Sequence, residues 1–455
     1  MGRPNVLLMI ADDHRHHAVG AFGDPVVQTP TLDRLAERGT AFTSARIMGG
    51  LSGAVCVPTR ACLHTGANVF RASANASMGG GRGMMTLNPG CVTLAETLRT
   101  AGYYAFGTGK WHNDRSSFSR GFCDGGSIFF GGMSDHLQVP IDDYDPDGRF
   151  PDEKRRIGDG FSTELFCGEA IRFLRGYDRD EPFFLYVAFT SPHDPRMAPP
   201  AYAELYPADR IPLPPNFLPK HPFDNGDLVG RDEMLAGHPR TPDEVRQHVA
   251  DYYAMITHMD AWIARVLEAL EQGGHSDDTV VVYMADHGLA VGQHGLMGKQ
   301  NLYEHSIRVP LVLAGPGIPE RVGSDALVYA YDVHPTICDA VDVAIPETVE
   351  ATSLMPMMRG DVSGARDSVY ALYTDLQRTV TDGRWKLIRY YRAAARGVGE
   401  DRIQLFDLEA DPWEMTDLSS DEAARPRLED LVAELSAWME RVDDPMRALP
   451  VLPLC

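Results

Sequence analysis

The sequence predicts an α/β fold: a mainly parallel central sheet with helices on both faces, followed by a small antiparallel α+β subdomain. Three observations carry this. Continuous apolar runs at residues 5–11, 183–190 and 279–284 have the pattern of strands covered on both faces. Segments with helical spacing stand between them, so strands and helices alternate as they do around a parallel sheet. Beyond about residue 350 the pattern changes to short strands separated by turn residues.

In chain order, residues 5–11 end in Asp12-Asp13-His14. Thr29-Pro30 ahead of Leu32, Leu35 and Ala36, with Gly39 behind, spells a short helix capped by Thr29, with proline in its first turn and glycine at its exit. Residues 40–45 run on towards a loop that carries Cys56. Thr93 and Glu96 form a capping box that opens a helix through Thr100. A strand over 103–107 then delivers Gly109-Lys110-Trp111-His112. Residues 114–156, rich in Gly, Asp and Ser, predict long irregular loops.

Helical spacing returns over 161–174, and the next apolar run ends in Ser191-Pro192-His193-Asp194. Residues 199–240, dense in proline and polar side chains, predict a surface excursion. Thr241 then caps a long helix whose apolar face includes Val245, Tyr252, Ile256, Met259, Ile263 and Leu270. The strand over 279–284 leads into Ala285-Asp286-His287-Gly288, and one more covers 310–314. Short strands are predicted at 369–373, 379–381, 385–390 and 405–408, with a turn at Asp382-Gly383, before a closing amphipathic helix over 426–440. The expected division is a catalytic α/β domain over 1–350 and a subdomain over 351–455.

Composition bounds the partners. Against 42 lysines and arginines stand 64 aspartates and glutamates, a net charge of −22 that repels nucleic acid and anionic membranes, so neither is expected as a partner. Any anionic substrate must be caught locally. The seven cysteines are odd in number and scattered, which speaks against a disulfide framework. The start, Met1-Gly2-Arg3-Pro4, runs almost at once into a short apolar stretch without the pattern of a secretory signal. The expectation is a cytoplasmic protein if the chain is complete and an exported one if a signal was removed.

Acidic and histidine side chains gather at the carboxyl ends of predicted strands, where open α/β sheets form their ligand crevice. Asp12 and Asp13 follow one strand; Asp286 and His287 follow another, more than 270 residues later. Adjacent carboxylates repel each other, so a divalent cation gives both pairs a common reason to be there. Each pair alone reads equally well as capping or loop solvation. What joins them is the stretch Cys56-Val57-Pro58-Thr59-Arg60, continued by Thr65-Gly66.

That stretch reads C-x-P-[ST]-R-x(4)-T-G and resembles the modification motif of the type I sulfatases, of alkaline phosphatase-like fold, in which the cysteine is oxidised to formylglycine. Around it, in the family's order, stand the early Asp-Asp pair, Gly-Lys-Trp-His, Ser-Pro-His, and Asp-His-Gly followed by Gly-Lys. The resemblance covers nearly the whole chain. It implies that Asp12, Asp13, Asp286 and His287, with the modified Cys56, surround one divalent metal, Ca2+ by the family's habit with Mg2+ as the alternative. Arg60 would orient the formylglycine hydrate, and Lys110 and Lys299 would hold sulfate oxygens. His112 would take the proton whose loss expels sulfate, and His193 would protonate the departing alcohol. A gem-diol suits this chemistry: one hydroxyl attacks sulfur and deprotonation of the other restores the aldehyde, a release that a thiol lacks.

The implied activity is a formylglycine-dependent sulfuric ester hydrolase acting on a carbohydrate sulfate, after a maturation enzyme has converted Cys56. A phosphonate monoester or phosphate diester hydrolase with the same modified cysteine is the alternative, and a non-catalytic sulfated-glycan binding module a third reading. His294 and Arg196 are further pocket candidates, Trp111 is expected to pack, and Gly79-Gly80-Gly81 to form a mobile rim of the pocket.

Overall fold

The three continuous apolar runs become the centre of one large sheet. In the computed structural model, which describes residues 2–76 and 82–451 and so leaves the expected rim at Gly79-Gly80-Gly81 outside, the central sheet has eight strands. They are β1 (Asn5–Ala11), β2 (Gly39–Phe42), β3 (Tyr104–Lys110), β4 (Asp124–Phe129), β5 (Phe183–Ala188), β6 (Thr279–Ala285), β7 (Leu311–Ala314) and β8 (Val322–Ser324), in the order β8-β2-β7-β6-β1-β5-β3-β4. β6, β1 and β5 are buried along their whole length and run parallel, which is why they carry no polar alternation. β7 is antiparallel to both β6 and β2, a reversal that a uniformly apolar run does not encode.

The helices form two groups. α1 (Pro30–Glu37) and α5 (Ser162–Gly176) both pack against the long α6 (Pro242–Gln272); α3 (Leu94–Thr100) and α7 (Val333–Ala340) each pack against α2 (Cys56–Thr65). The apolar stripe read along 245–270 is the buried face of α6, and Thr241 caps it by accepting from the Glu244 amide. The Thr93–Glu96 capping box of α3 is complete. Thr29 behaves differently from its expected role. Its hydroxyl accepts from the Gly20 amide and donates to Asp33, so the first turn of α1 is capped by Asp260 of α6, which accepts from the Thr31 and Leu32 amides at 3.0 and 2.8 Å.

Residues 114–156 are more regular than their composition suggests. α4 (Arg115–Gly121) and the edge strand β4 lie there, because Asp114 caps the helix and β4 completes the hydrogen bonding of β3. The C-terminal sheet is as patterned: β9 (Val369–Tyr373), β10 (Gln377–Thr381), β11 (Trp385–Tyr390) and β12 (Arg402–Asp407) are antiparallel, with α8 (Arg425–Arg441) against them. Its outer position beside β9 is taken by Gly49–Gly50, in parallel register with Leu372 and Tyr373. One hydrophobic core runs from Val6 through the C-terminal sheet, so the segment just before Cys56 is held between the two sheets.

Candidate active site

Strand register assembles the site. Ala11 is level with Ala285, so Asp12 and Asp286 leave β1 and β6 side by side. Ile10 and Gly109 are both level with Ala188, which brings Lys110 and the segment leading to His193 to the same rim. Gly109 has φ +87°, and a Cβ there would strike the Ala188 carbonyl oxygen. The register of β3 with β4 slips between Thr108 and Gly109, a bulge that re-aims Lys110 towards β1.

Cys56 is the first residue of α2, not part of a loop, and all ten residues of that helix are buried. Pro58 is tolerated because the first turn has no intrahelical amide partner to lose. Gly66, at φ +64°, closes the helix by donating its amide to the Cys62 carbonyl at 2.7 Å. The spacing Cys-x-x-x-Arg is therefore one helical turn, which sets Arg60 beneath Cys56 on the same face. From there the Arg60 Nε donates to Asp286 Oδ2 at 2.8 Å, and its Nη1 donates to the Lys110 carbonyl at 2.8 Å.

The site is a buried lattice of opposite charges. Lys110 Nζ makes a short contact with Asp12 Oδ2 and donates to the Gly132 carbonyl at 2.6 Å; Lys299 Nζ donates to Asp13 Oδ1 at 2.9 Å. His287 Nδ1 is 2.9 Å from the same Asp13 oxygen. Burial opposes charge on Asp13, but Lys299, His193 and His287 hold it well below the usual carboxylate range. Burial likewise opposes charge on His287, yet Asp286 and Asp13 push the imidazole up to about 10. Cys56 Sγ is 3.1 Å from His112 Nδ1, and against the effect of burial His112, Lys110 and Lys299 hold the thiol well below its ordinary value.

A cation fits this donor set. One ligand atom from each of Asp12, Cys56, Asp286 and His287 lies within 4.8 Å of the others, all buried. Asp12 Oδ1 and His287 Nε2 face each other at 3.9 Å, and neither has a hydrogen-bond partner among the described residues. Two unpartnered buried ligand atoms aimed at one point are what a metal would satisfy. Asp13 belongs to a second grouping with Asp12 and His193, and its carboxylate is engaged by His287 and Lys299.

Above the lattice opens a cleft of about 340 Å³ lined by Cys56, His112, His193, Lys299, Gln300 and Arg231, among others. His193 Nε2 is 3.7 Å from Asp13 Oδ2, and its Nδ1 is 2.8 Å from the Asp194 carbonyl oxygen. His136 Nε2 in turn contacts the His193 carbonyl at 3.0 Å. His294 lies outside the cleft: it bonds Asn216 and stacks on Tyr303 with ring centroids 4.0 Å apart. Arg196 is half-buried, with its Nη1 3.0 Å from His248 Nδ1, and does not line the cleft. Trp111 packs, stacked on His64 at 4.0 Å.

Three positioning groups lie in places without a periodic signal. Arg231 bonds Asp194 Oδ2 at 2.5 Å, tying the 199–240 excursion to the residue after His193. Glu233 accepts from the amides of Met297 and Gly298 and from Arg240, setting the loop that aims Lys299. Tyr186 joins the Arg60 guanidinium and the Lys110 carbonyl through its hydroxyl. Only Asp194, next to His193, was within reach of a local motif.

The family model described as Sulfatase matches residues 4–343. The chain belongs to the sulfatase family. A second model, N-sulphoglucosamine sulphohydrolase, C-terminal, matches residues 292–442. This sulfatase is 28% identical to the N-acetylglucosamine-6-O-sulfatase of Bacteroides thetaiotaomicron, an alignment covering 91% of the chain and 82% of that relative. A solved structure of a protein in complex with its substrate D-glucosamine-2-N,6-O-disulfate superposes with a TM-score of 0.80 at 24% identity, covering 99% of each chain. The phosphonate monoester hydrolase of Agrobacterium radiobacter gives a TM-score of 0.75 at 22% identity, covering 97% of this chain and 96% of that one. These establish the alkaline phosphatase-like fold, and membership of the family makes the protein a sulfuric ester hydrolase whose kind uses a divalent metal and a cysteine-derived formylglycine.

Proposed function

We propose that this sulfatase removes sulfate from a carbohydrate ester, with Cys56 converted to formylglycine by a maturation enzyme and calcium as the metal. The observation that carries the reading is the convergence of Asp12, Cys56, Asp286 and His287 within 4.8 Å, between two buried lysines. The relative acting on N-acetylglucosamine-6-O-sulfate supports the sugar as the alcohol half. Carboxylate oxygens favour calcium, with magnesium the competing hard cation.

The Cys56 Sγ marks the place of the formylglycine hydrate oxygens. With the cation bound, that group supplies a nucleophilic hydroxyl at neutral pH and a second hydroxyl for release. The chain's own residues do the rest. Lys110 and Lys299 neutralise sulfuryl oxygens in a site that excludes water, where their charge acts at low dielectric. Arg60 fixes Asp286 and, one turn below Cys56, keeps the α2 amino terminus at the rim. His112, 3.1 Å from Sγ, is placed to accept the proton whose loss frees sulfate. His193 opens onto the cleft with Nδ1 tied back to Asp194, leaving Nε2 to protonate the leaving oxygen.

Two measurements test this. Peptide mass analysis of protein expressed with a maturation enzyme should find the Cys56 peptide lighter by roughly 18 Da. Turnover of 4-nitrophenyl sulfate, 4-nitrophenyl phosphonate and N-acetylglucosamine-6-sulfate should rank the sulfates first. A large preference for the phosphonate would move the assignment to the phosphonate hydrolases, and an unchanged Cys56 mass in active protein would remove formylglycine from the mechanism.

A further inference from the structure

A second cavity, of about 270 Å³, lies away from the Cys56 cleft and shares no lining residue with it. Its floor holds Arg15 and His305, and its walls include His17, Trp413, Leu213 and Pro214. Arg15 is 5% exposed, and among the described residues no carboxylate is within ion-pair distance of its guanidinium, although Asp24 acts on it from farther away. Among the described residues Nη2 makes only a long 3.5 Å contact with the Tyr253 hydroxyl, while Nε and Nη1 are buried without a partner. Its charge rests instead over the Tyr252 ring, 5.3 Å from the centroid. The carboxylate of Asp24 at the rim is already used by the Tyr253 hydroxyl and by the Val26 and Val27 amides. His17 Nε2 and His305 Nε2 are also unpartnered.

A buried guanidinium with two free donors is costly unless something accepts from them. We propose that this cavity binds a small organic carboxylate with a flat apolar body, the carboxylate on Arg15 and the ring between Trp413 and the proline wall. Size and charge select this class. The volume falls just below the usual range for small-molecule sites, which suits one ring. A single arginine with Asp24 near it suits one negative charge rather than two. Burial pushes the His17 imidazole down to about 4, so it adds no positive charge at neutral pH and offers a neutral hydrogen bond. The stacked imidazole of His17 on Trp413, with centroids 5.1 Å apart, makes a flat wall suited to a planar partner.

The cavity is structurally coupled to the catalytic centre. The Arg15 amide donates to the Tyr252 hydroxyl at 3.0 Å, and that hydroxyl donates to the Asp13 carbonyl at 2.6 Å. The backbone of Arg15 is therefore two hydrogen bonds from the backbone of Asp13, the residue whose carboxylate Lys299 and His287 hold.

The test uses the full, metal-loaded chain and benzoate as the probe, read by quenching of tryptophan emission, with Trp413→Phe identifying the reporting ring. Benzoate should bind saturably at roughly millimolar concentration or tighter, and its neutral isostere benzyl alcohol should not. Arg15→Gln should weaken benzoate by roughly tenfold or more, the loss expected for a charge-assisted hydrogen bond. Leu213→Trp, which fills the cavity from a half-exposed wall, should abolish binding whether or not Arg15→Gln folds. Excess inorganic sulfate, a ligand for the Cys56 cleft, should leave benzoate bound. Displacement by sulfate, equal binding of benzyl alcohol, or undiminished binding to Leu213→Trp would each overturn the proposal, as would the absence of saturable binding.

Discussion

The Arg60 guanidinium sits 2.8 Å from Asp286, with both side chains fully buried, so the helix bearing Cys56 and the strand end bearing a cation ligand are joined by one ion pair. Removing Arg60 takes away the closest charge partner of the buried Asp286 carboxylate and leaves it only His287, 3.6 Å away. Arg60→Ala should therefore cost about 3–5 kcal/mol in metal-free protein, seen as a lower urea midpoint. The loss should shrink when a divalent cation is added, because the cation takes over the positive charge facing Asp286. Equal losses with and without the cation would contradict the place given to Asp286.

Before maturation, Cys56 should be the most reactive buried thiol among the described residues. Burial raises it, but His112, Lys110 and Lys299 outweigh burial and favour the thiolate. In contrast, burial pushes Cys62 and Cys167 up with no cation beside them strong enough to reverse it. Iodoacetamide near about pH 6 should label Cys56 ahead of both, and His112→Ala should slow that labelling. Peptide mapping over time reads the order, and labelling of Cys62 first would refute the electrostatic account.

The cation site makes a thermal prediction. No described protein group bonds Asp12 Oδ1 or His287 Nε2, so a cation held between them should stabilise the fold by mass action. After dialysis against a chelator, adding calcium at about a hundred times its dissociation constant should raise stability by about 2.7 kcal/mol, with a matching rise in melting temperature. Asp12→Asn should abolish most of that rise. A calcium-induced shift that survives Asp12→Asn would place the cation elsewhere.

What could be read beforehand follows from the range of the interactions. The central strands are uniformly apolar because they are covered on both faces, so they are legible locally, whereas the helix from Cys56 through Arg60, buried on every side, shows no amphipathic period and reads as a loop. Asp12 and Asp286 are adjacent only through the register of β1 with β6, and the paired acidic motifs hinted at this without fixing it. Other contacts are set by packing between distant elements with no period or motif. They include the capping of α1 by Asp260, the reversed direction of β7, the ion pair of Arg231 with Asp194, and the engagement of Asp13 by His287 and Lys299. Glu233 belongs with them: it lies in a proline-rich excursion whose composition announces only a surface.

That glutamate gives the pH prediction. Its carboxylate accepts from the Met297 and Gly298 amides, two residues and one residue before Lys299, and burial raises it to about 6 although Arg240 lowers it. A carboxyl whose folded value exceeds its unfolded value binds its proton more tightly in the folded chain. Its contribution is therefore greatest below the unfolded value of 4.5 and falls as pH rises through about 6, with the loss complete above that value. The difference amounts to about 2 kcal/mol. Urea unfolding of the native chain and of Glu233→Gln across about pH 4 to pH 7 should show the native chain losing that much more than the variant over the interval. Glu233→Gln should also raise KM for 4-nitrophenyl sulfate, because the loop aiming Lys299 loses a charged acceptor. Parallel stability profiles would mean that Glu233 does not titrate in the folded protein over this range, and an unchanged KM would separate it from the positioning of Lys299.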